Sequence, residues 1–130
     1  MSNYATAGLV ATTPRHLITQ DGMAITTFRL AAPHIKANGE EETNWFTITG
    51  FGDVAINMAG SINKGERVMV MGELRVRDWD NGERAGTSVE IEVSAIGHDL
   101  SYGTAQFLRT VLKKRTPKEQ AAGISAAVDY

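Results

Sequence analysis

The sequence lacks cysteine, and its positive and negative charges nearly balance. Among its 130 residues, 13 lysines and arginines stand against 15 aspartates and glutamates, which leaves a net charge of -2. Without cysteine there are no disulfides, thiolate zinc sites or cysteine nucleophiles. The charge balance removes the simplest indication of a nucleic-acid-binding protein, a strongly basic chain. No apolar run approaches the ~20 residues of a membrane helix, and the N-terminus lacks the features of a secretory signal. We therefore expect a cytoplasmic protein without a membrane partner.

What the sequence does contain is a series of β-prone segments separated by turn residues. Its hydrophobic content of 42% is sufficient for one packed core. Extended segments are predicted over residues 9–13, 16–19, 25–31, 44–51, 67–77 and 87–96. A helix is predicted over residues 53–62, with Asp53 as its N-terminal cap and Gly65 just beyond its end. The polar segment 36–43 and the predicted hairpin loop 78–86 contain turn residues.

This order of elements predicts an all-β fold. The segments amount to about five strands, with the one helix between the third and the fourth. The OB-fold, a five-stranded Greek-key barrel, has this order, and it binds oligonucleotides on one face and in its hairpin loops. The alternative, a generic β-sandwich, is disfavoured by the single internal helix and the small number of long strands.

The distribution of charge divides the chain into two predicted regions. Residues 1–100 contain 8 basic and 13 acidic residues, a net charge of -5, and form the predicted OB-fold domain. Residues 101–118 contain five basic residues and no acidic one. We therefore predict a basic C-terminal segment with a short tail over residues 101–130, in which residues 103–115 form either a strand or a helix.

Two of the predicted strands carry aromatic and charged side chains on one side. Successive side chains of a strand point to opposite faces. Trp45 and Phe51 therefore share a face with two threonines, and Phe46 lies on the other face. In the next long strand the even-numbered residues from Val68 to Val76 are apolar and predict the core. The odd-numbered positions carry Met69, Met71, Glu73, Arg75, Arg77 and Trp79.

Aromatic rings beside arginines are the combination that single-stranded nucleic acid requires. Bases stack on the rings and phosphates contact the cations, with little sequence preference. Arg29 joins Arg75 and Arg77 in a local basic stripe, which can act despite the negative net charge because screening weakens interactions beyond ~8 Å at physiological salt. The alternative is that Trp45 and Trp79 pack in the core or at a subunit interface.

The sequence offers little support for an enzyme. Asp78 and Asp80 resemble paired catalytic carboxylates, but the adjacent Asn81 and Gly82 favour turn chemistry. The three histidines are scattered without metal-ligand spacing. The glycines around Phe51 lack the lysine of a phosphate-binding loop. We therefore expect no catalytic residue, no metal and no cofactor.

Residues 44–79 contain a series of short motifs whose order and spacing are informative together. These are Trp45, Phe51-Gly52, Lys64-Gly65, Val68, Gly72-Glu73-Leu74, Arg77 and Trp79. The series resembles the bacterial single-stranded DNA-binding protein family, and the resemblance covers roughly residues 5–100. It implies an OB-fold protomer in a homotetramer that wraps single-stranded DNA. It also implies that Trp45, Phe51 and Trp79 stack on bases, and that Arg75 and Arg77 contact phosphates.

The resemblance implies a nucleoid-associated protein that protects single strands in replication, recombination, repair or DNA uptake. The alternative is a protein–protein adaptor of the primosome type with weak DNA binding. Two departures from the family matter. The family often has a further stacking tryptophan where this chain has residues 33–36, and it usually ends in an acidic tip that recruits enzymes, whereas this chain ends with a single acid, Asp129. Recruitment of replication enzymes through such a tip is therefore not expected. The basic residues 103–118 resemble a subunit-clamping segment of some high-GC Gram-positive members.

Overall fold

The computed structural model describes residues 3–110, which form six strands and one α-helix. In chain order these elements are β1 (Asn3–Val10), β2 (Arg15–Ile18), β3 (Ala24–Ile35), β4 (Glu41–Phe51), α1 (Asp53–Ser61), β5 (Arg67–Asp80) and β6 (Ala85–His98). Among these residues no helix is long and apolar enough to cross a membrane.

Five of the strands close into a barrel, which confirms the predicted OB-fold. The strands are hydrogen-bonded in the order β1-β5-β6-β4-β3, and β1 closes the ring because Leu9 pairs with Ala31 of β3. The short strand β2 adds an antiparallel edge to β3. Among the five barrel strands the helix lies between the third and the fourth, as predicted. The hairpins are antiparallel, whereas β4 and β6 pair in parallel, with Ile48 opposite Ile91.

The core follows from the alternation of side chains along the barrel strands. Its buried residues are Val10, Phe28, Leu30, Ala32, Phe46, Ile48, Met58, Ile62, Val68, Val70 and Ile91. The predicted core face of β5 is therefore confirmed for Val68 and Val70. It is wrong for Val76, which is 64% exposed. Val76 pairs with Val89 where β5 and β6 extend beyond the barrel as a two-stranded arm, so no third layer covers it.

The helix covers one end of the barrel, with Ala55 and Met58 buried. The buried Thr26 hydroxyl donates a hydrogen bond to the carbonyl oxygen of Ala55 at 2.7 Å, which ties the helix to β3. The predicted cap is wrong: Gly52 is the N-cap residue, and Asp53 lies inside the first turn, where its charge favours the helix dipole. The helix ends at Ser61, and Gly65 lies in a separate turn in which its N–H donates to the Val10 carbonyl at 2.8 Å.

The long hairpins extend further than the sequence predicts. Strands β5 and β6 remain paired as far as Asp80 and Ala85, so the predicted loop 78–86 shrinks to residues 81–84. Strands β3 and β4 likewise pair as far as Ile35 and Glu41, through a prolyl residue at position 33. Polar residues suggested loops, but cross-strand hydrogen bonds keep both arms extended.

Strand β6 contains a bulge that the sequence pattern does not predict. Met71 pairs with Ala95 and the next residue, Gly72, pairs with Val93, so Ser94 is an extra residue in β6. The bulge moves the inward-facing side from the odd-numbered Val93 to the even-numbered Ile96, and both pack against the core.

The last described residues follow the end of β6. Residues 103–110 form neither a strand nor a helix, so the predicted regular element is wrong over this part. Residues 111–115 and the rest of the basic segment lie outside the described residues. The domain boundary at residue 100 stays a prediction.

Candidate nucleic-acid interface

The three aromatic residues singled out from the sequence all lie on the outside of the barrel. Trp45 is 50% exposed, Phe51 42% and Trp79 43%. Their inward-facing neighbours Phe46 and Ile48 are buried, which confirms the predicted sidedness of β4. The alternative in which the tryptophans pack in the core of this chain is therefore wrong.

Strand pairing places Arg29 and Arg75 on the same outer face as these rings. Paired residues on neighbouring strands point to the same side of a sheet. Arg29 of β3 pairs with Thr47 of β4, Thr47 pairs with Glu90 of β6, and Glu90 pairs with Arg75 of β5. One line of outward side chains thus crosses four strands of the barrel. We call the outer surface of β3, β4, β6 and β5 around this line the outer face.

Two shallow hollows interrupt the outer face. The first is lined by Thr49, Phe51, Arg75, Arg77, Glu90, Ile91 and Glu92. The second, at the edge of the barrel, is lined by Ala11, Thr12, Arg29 and Trp45. The structure thus brings Phe51 together with two of the predicted arginines, and Trp45 together with the third. Trp79 lines neither hollow, because it lies near the end of the arm formed by β5 and β6, opposite Gly86.

Arg29 lies over the ring of Trp45. The guanidinium carbon is 5.5 Å from the ring centroid, which is within range of a cation–π interaction. This contact orients the exposed indole and leaves part of its surface accessible. The two residues are 16 positions apart in the chain, but β3 and β4 place them on neighbouring strands with Ala31 opposite Trp45.

Sequence reasoning missed that carboxylates neutralise two of the predicted arginines. The Arg75 guanidinium Nη2 lies 3.3 Å from Glu92 Oε1 and 3.6 Å from Glu73 Oε1. Nε of Arg77 lies 3.1 Å from Glu90 Oε2. Glu90 and Glu92 occupy outward positions in a recognisable alternation, but only the pairing of β5 with β6 shows that they face these arginines.

Two of the three histidines serve the fold. Nδ1 of His16 lies 2.7 Å from the hydroxyl of Thr26, and Nε2 of His98 lies 2.9 Å from Glu66 Oε1. Burial raises the pKa of Glu66, but hydrogen bonds from His98 and from Asn63 outweigh it and hold that pKa below its ordinary value. Within residues 3–110 no three histidine, aspartate or glutamate side chains are grouped to hold a metal ion.

A comparison with known protein families decides the interpretation of this barrel. A family model described as the single-strand binding protein family matches residues 1–99. The chain belongs to that family. This confirms the resemblance drawn from the motifs between Trp45 and Trp79, and the match extends over the whole barrel.

Relatives of this single-strand binding family member are found among actinobacteria. The chain is 47% identical over 113 residues to single-stranded DNA-binding protein 2 of Tropheryma whipplei (strain Twist), which covers 82% of this chain and 74% of that protein. It is 38% identical over 109 residues to single-stranded DNA-binding protein 1 of Streptomyces coelicolor, covering 79% of this chain and 69% of that protein.

Solved structures of family members have the same fold. The crystal structure of a small single-stranded DNA-binding protein from Streptomyces coelicolor matches with a TM-score of 0.69 and 34% identity, covering 78% of this chain and 97% of that one. The second single-stranded DNA-binding protein of Mycobacterium smegmatis matches with a TM-score of 0.65 and 26% identity, covering 83% of this chain and 98% of that one.

Proposed function

We propose that this protein binds single-stranded DNA with little sequence preference, without catalysing a reaction. Bases stack on Trp45, Phe51 and Trp79, and phosphates contact the arginines of the outer face. The observation that supports the proposal most is the exposure of about half of each ring on the outer face of an OB barrel that belongs to the single-strand binding protein family. Rings of this size are normally buried unless they await a partner.

Stacking supplies most of the proposed binding energy. Each stacked base contributes about 1–3 kcal/mol, and every base has an aromatic face, so the interaction discriminates little between sequences. The arginines add phosphate contacts, with Arg29 also holding Trp45 in place. The alternative function, a protein–protein adaptor, is disfavoured because the aromatic face remains intact and the matched relatives are described as single-stranded DNA-binding proteins.

The proposed role in the cell is to protect single strands during replication, recombination, repair or DNA uptake. This role requires a cytoplasmic protein associated with the nucleoid. Binding should be readily reversible with salt, because phosphate contacts weaken as counterions accumulate.

The test is a titration of intrinsic tryptophan fluorescence with oligo-dT, repeated with duplex DNA of equal length. Oligo-dT should quench the emission, because Trp45 and Trp79 stack on its bases. The logarithm of the affinity should fall with the logarithm of salt by about 0.7 per phosphate contact. Duplex DNA should bind much more weakly because its bases are already stacked. Equal affinity for the two ligands, or binding to oligo-dT with unchanged emission, would contradict the proposal.

The proposed protein acts as a homotetramer. Support comes from a flat apolar patch on the outside of β1 and β5, where Ala5 pairs with Met71 and Ala7 pairs with Met69. Both methionines are about half exposed in the single chain, which favours burial against another copy. Light scattering should give four times the mass of the chain. A monomeric mass at micromolar concentration would contradict this part of the proposal.

Weak recruitment of replication enzymes remains part of the proposal. It concerns the last residues of the sequence, which lie outside the described part of the chain. A relative that carries an acidic tip provides the comparison: immobilised in equal amounts, it should retain replication and repair enzymes that this chain does not. Equal retention would contradict the expectation.

A further inference from the structure

The outer face is electrically neutral, although it is the proposed binding surface for a polyanion. Its charged residues are Arg29, Arg75 and Arg77 on one side of the balance and Glu73, Glu90 and Glu92 on the other. Arg75 and Arg77 are both engaged in ion pairs with these carboxylates. A surface built only to attract phosphate would place neutral hydrogen-bonding residues, rather than glutamates, beside its arginines.

Glu90 holds the central position in this arrangement. Its backbone pairs with Thr47 on one side and with Arg75 on the other, and its carboxylate contacts Arg77. The Glu90 side chain is only 23% exposed, so it lies in the sheet surface, while the arginines project above it. A phosphate that contacts Arg77 must therefore approach a carboxylate of the same charge.

The energies of these pairs allow them to be exchanged. Exposed ion pairs stabilise a protein by only about 0–1 kcal/mol, so DNA can displace them. When a phosphate replaces the carboxylate, the released glutamate takes up a cation from solution. This uptake cancels part of the counterion release that drives binding of polyanions to cationic surfaces. Phosphate attraction alone is thereby weakened, whereas stacking on the aromatic rings is unaffected.

We propose that Glu90 and Glu92 are specificity-determining residues that neutralise Arg77 and Arg75 and so prevent DNA from binding through its phosphates alone. A ligand then needs unstacked bases to be retained, which single strands have and duplexes lack. Duplex DNA gains most from freed arginines, because its charge density is higher than that of a single strand. The inference rests on the proposed function, since it assumes that the outer face binds DNA.

The experiment compares the double variant Glu90→Gln/Glu92→Gln with the control Glu40→Gln/Glu41→Gln. Both variants remove two negative charges. Glu40 and Glu41 are exposed at the tip of the β3–β4 hairpin and form no ion pair among residues 3–110. Affinities for oligo-dT and for duplex DNA of equal length are measured over a range of salt concentrations, after circular dichroism has shown that each variant is folded.

We expect the Glu90/Glu92 variant to bind duplex DNA about threefold to tenfold more tightly than the wild type, with a smaller gain for oligo-dT. Its salt dependence should be steeper, by up to about one unit of slope per freed arginine. The control should show neither effect. If the double variant does not fold, Glu92→Gln alone gives the same test with a smaller gain.

Three results would overturn the inference. The first is a gain no larger than that of the control. The second is an unchanged preference for single strands over duplex. The third is weaker binding of both ligands, which would mean that the carboxylates hold the arginines in place for DNA. In each of these cases wild-type binding to oligo-dT remains intact, whereas failure of the proposed function would appear as a wild type that does not bind oligo-dT.

Discussion

The indole ring of Trp79 covers the backbone of Gly86 on the neighbouring strand. A Cβ atom placed on Gly86 would lie 2.7 Å from Cζ2 and 3.0 Å from Cε2 of the ring. These distances are shorter than van der Waals contact, so any side chain at position 86 must displace the indole. An aromatic ring over a cross-strand glycine is a recognised way of stabilising such a position in a sheet.

The first prediction concerns Gly86→Ala. The methyl group should push Trp79 out of its position, change the tryptophan emission of the free protein and weaken oligo-dT binding by up to about the 1–3 kcal/mol of one stacked base. Gly97→Ala on the same strand is the matched control, because a Cβ there meets no atom within 4 Å. Emission and affinity that match the wild type in Gly86→Ala would show that the contact does not set the position of the ring.

The second prediction concerns Trp45→Ala and Trp79→Ala. Each should reduce oligo-dT affinity by about 1–3 kcal/mol, because each removes one stacking surface. Each should leave the thermal midpoint nearly unchanged, because both side chains are about half exposed. Fluorescence anisotropy of a labelled oligo-dT measures the affinity. A variant that melts well below the wild type would assign that tryptophan a structural role instead.

The third prediction sets two glycine-to-alanine substitutions against each other. A Cβ on Gly72 would collide with the backbone carbonyl oxygen of Glu92 beside the bulge, where no side-chain rotation relieves the clash. Gly72→Ala should lower the free energy of unfolding by about 1–3 kcal/mol. Gly60 lies in α1 with open space around it, so Gly60→Ala should raise that free energy by up to about 1 kcal/mol. Urea denaturation measures both, and changes of equal sign would refute the assignment.

The fourth prediction concerns acid stability through Glu66. Since the pKa of Glu66 is lowered in the folded protein, its contribution to stability is present above the unfolded-state pKa and is lost as the pH falls through the folded-state pKa. The free energy of unfolding should therefore fall more steeply in the wild type than in Glu66→Gln between about pH 5 and pH 3. At neutral pH the variant should be less stable by at most about 1 kcal/mol, because the pair with His98 is partly exposed. Parallel pH profiles for the two proteins would contradict this assignment, and Glu40→Gln serves as the control.

The fifth prediction concerns removal of residues 104–130. These residues carry five basic groups and leave the barrel beside α1, where Asn57 Nδ2 donates a hydrogen bond to the hydroxyl of Thr110 at 3.2 Å. A role in DNA binding predicts weaker binding and a shallower salt dependence. A role as a clamp between subunits predicts a lower melting temperature of the oligomer. If neither property changes, the segment has no role in either.

Several features of the fold and the site could be predicted from the sequence because they depend on local patterns. The alternation of side chains along residues 44–51 placed Trp45 and Phe51 outside and Phe46 inside. The apolar spacing of residues 53–62 located the only helix among the described residues, to within one residue at its end. The motif series around Trp79 identified the family before any contact was known.

Other local predictions failed where a tertiary contact overrode the local preference. Asp53 has the chemistry of a helix cap, but the chain enters α1 through Gly52 with a positive φ of 73°. Residues 78–80 have the composition of a loop, but hydrogen bonds to β6 keep them in the strand. Val76 follows an apolar pattern, but the arm on which it lies extends beyond the core.

The sequence by itself determined which side of each strand faces solvent, because the period of two is a property of neighbouring residues. It therefore determined that aromatic rings and arginines share the outer face. Only the tertiary structure decided which residues meet across strands: Glu90 with Arg77, Gly86 with Trp79, and β4 in parallel with β6. These contacts depend on the register between strands and on the bulge at Ser94, and register arises when the whole barrel closes.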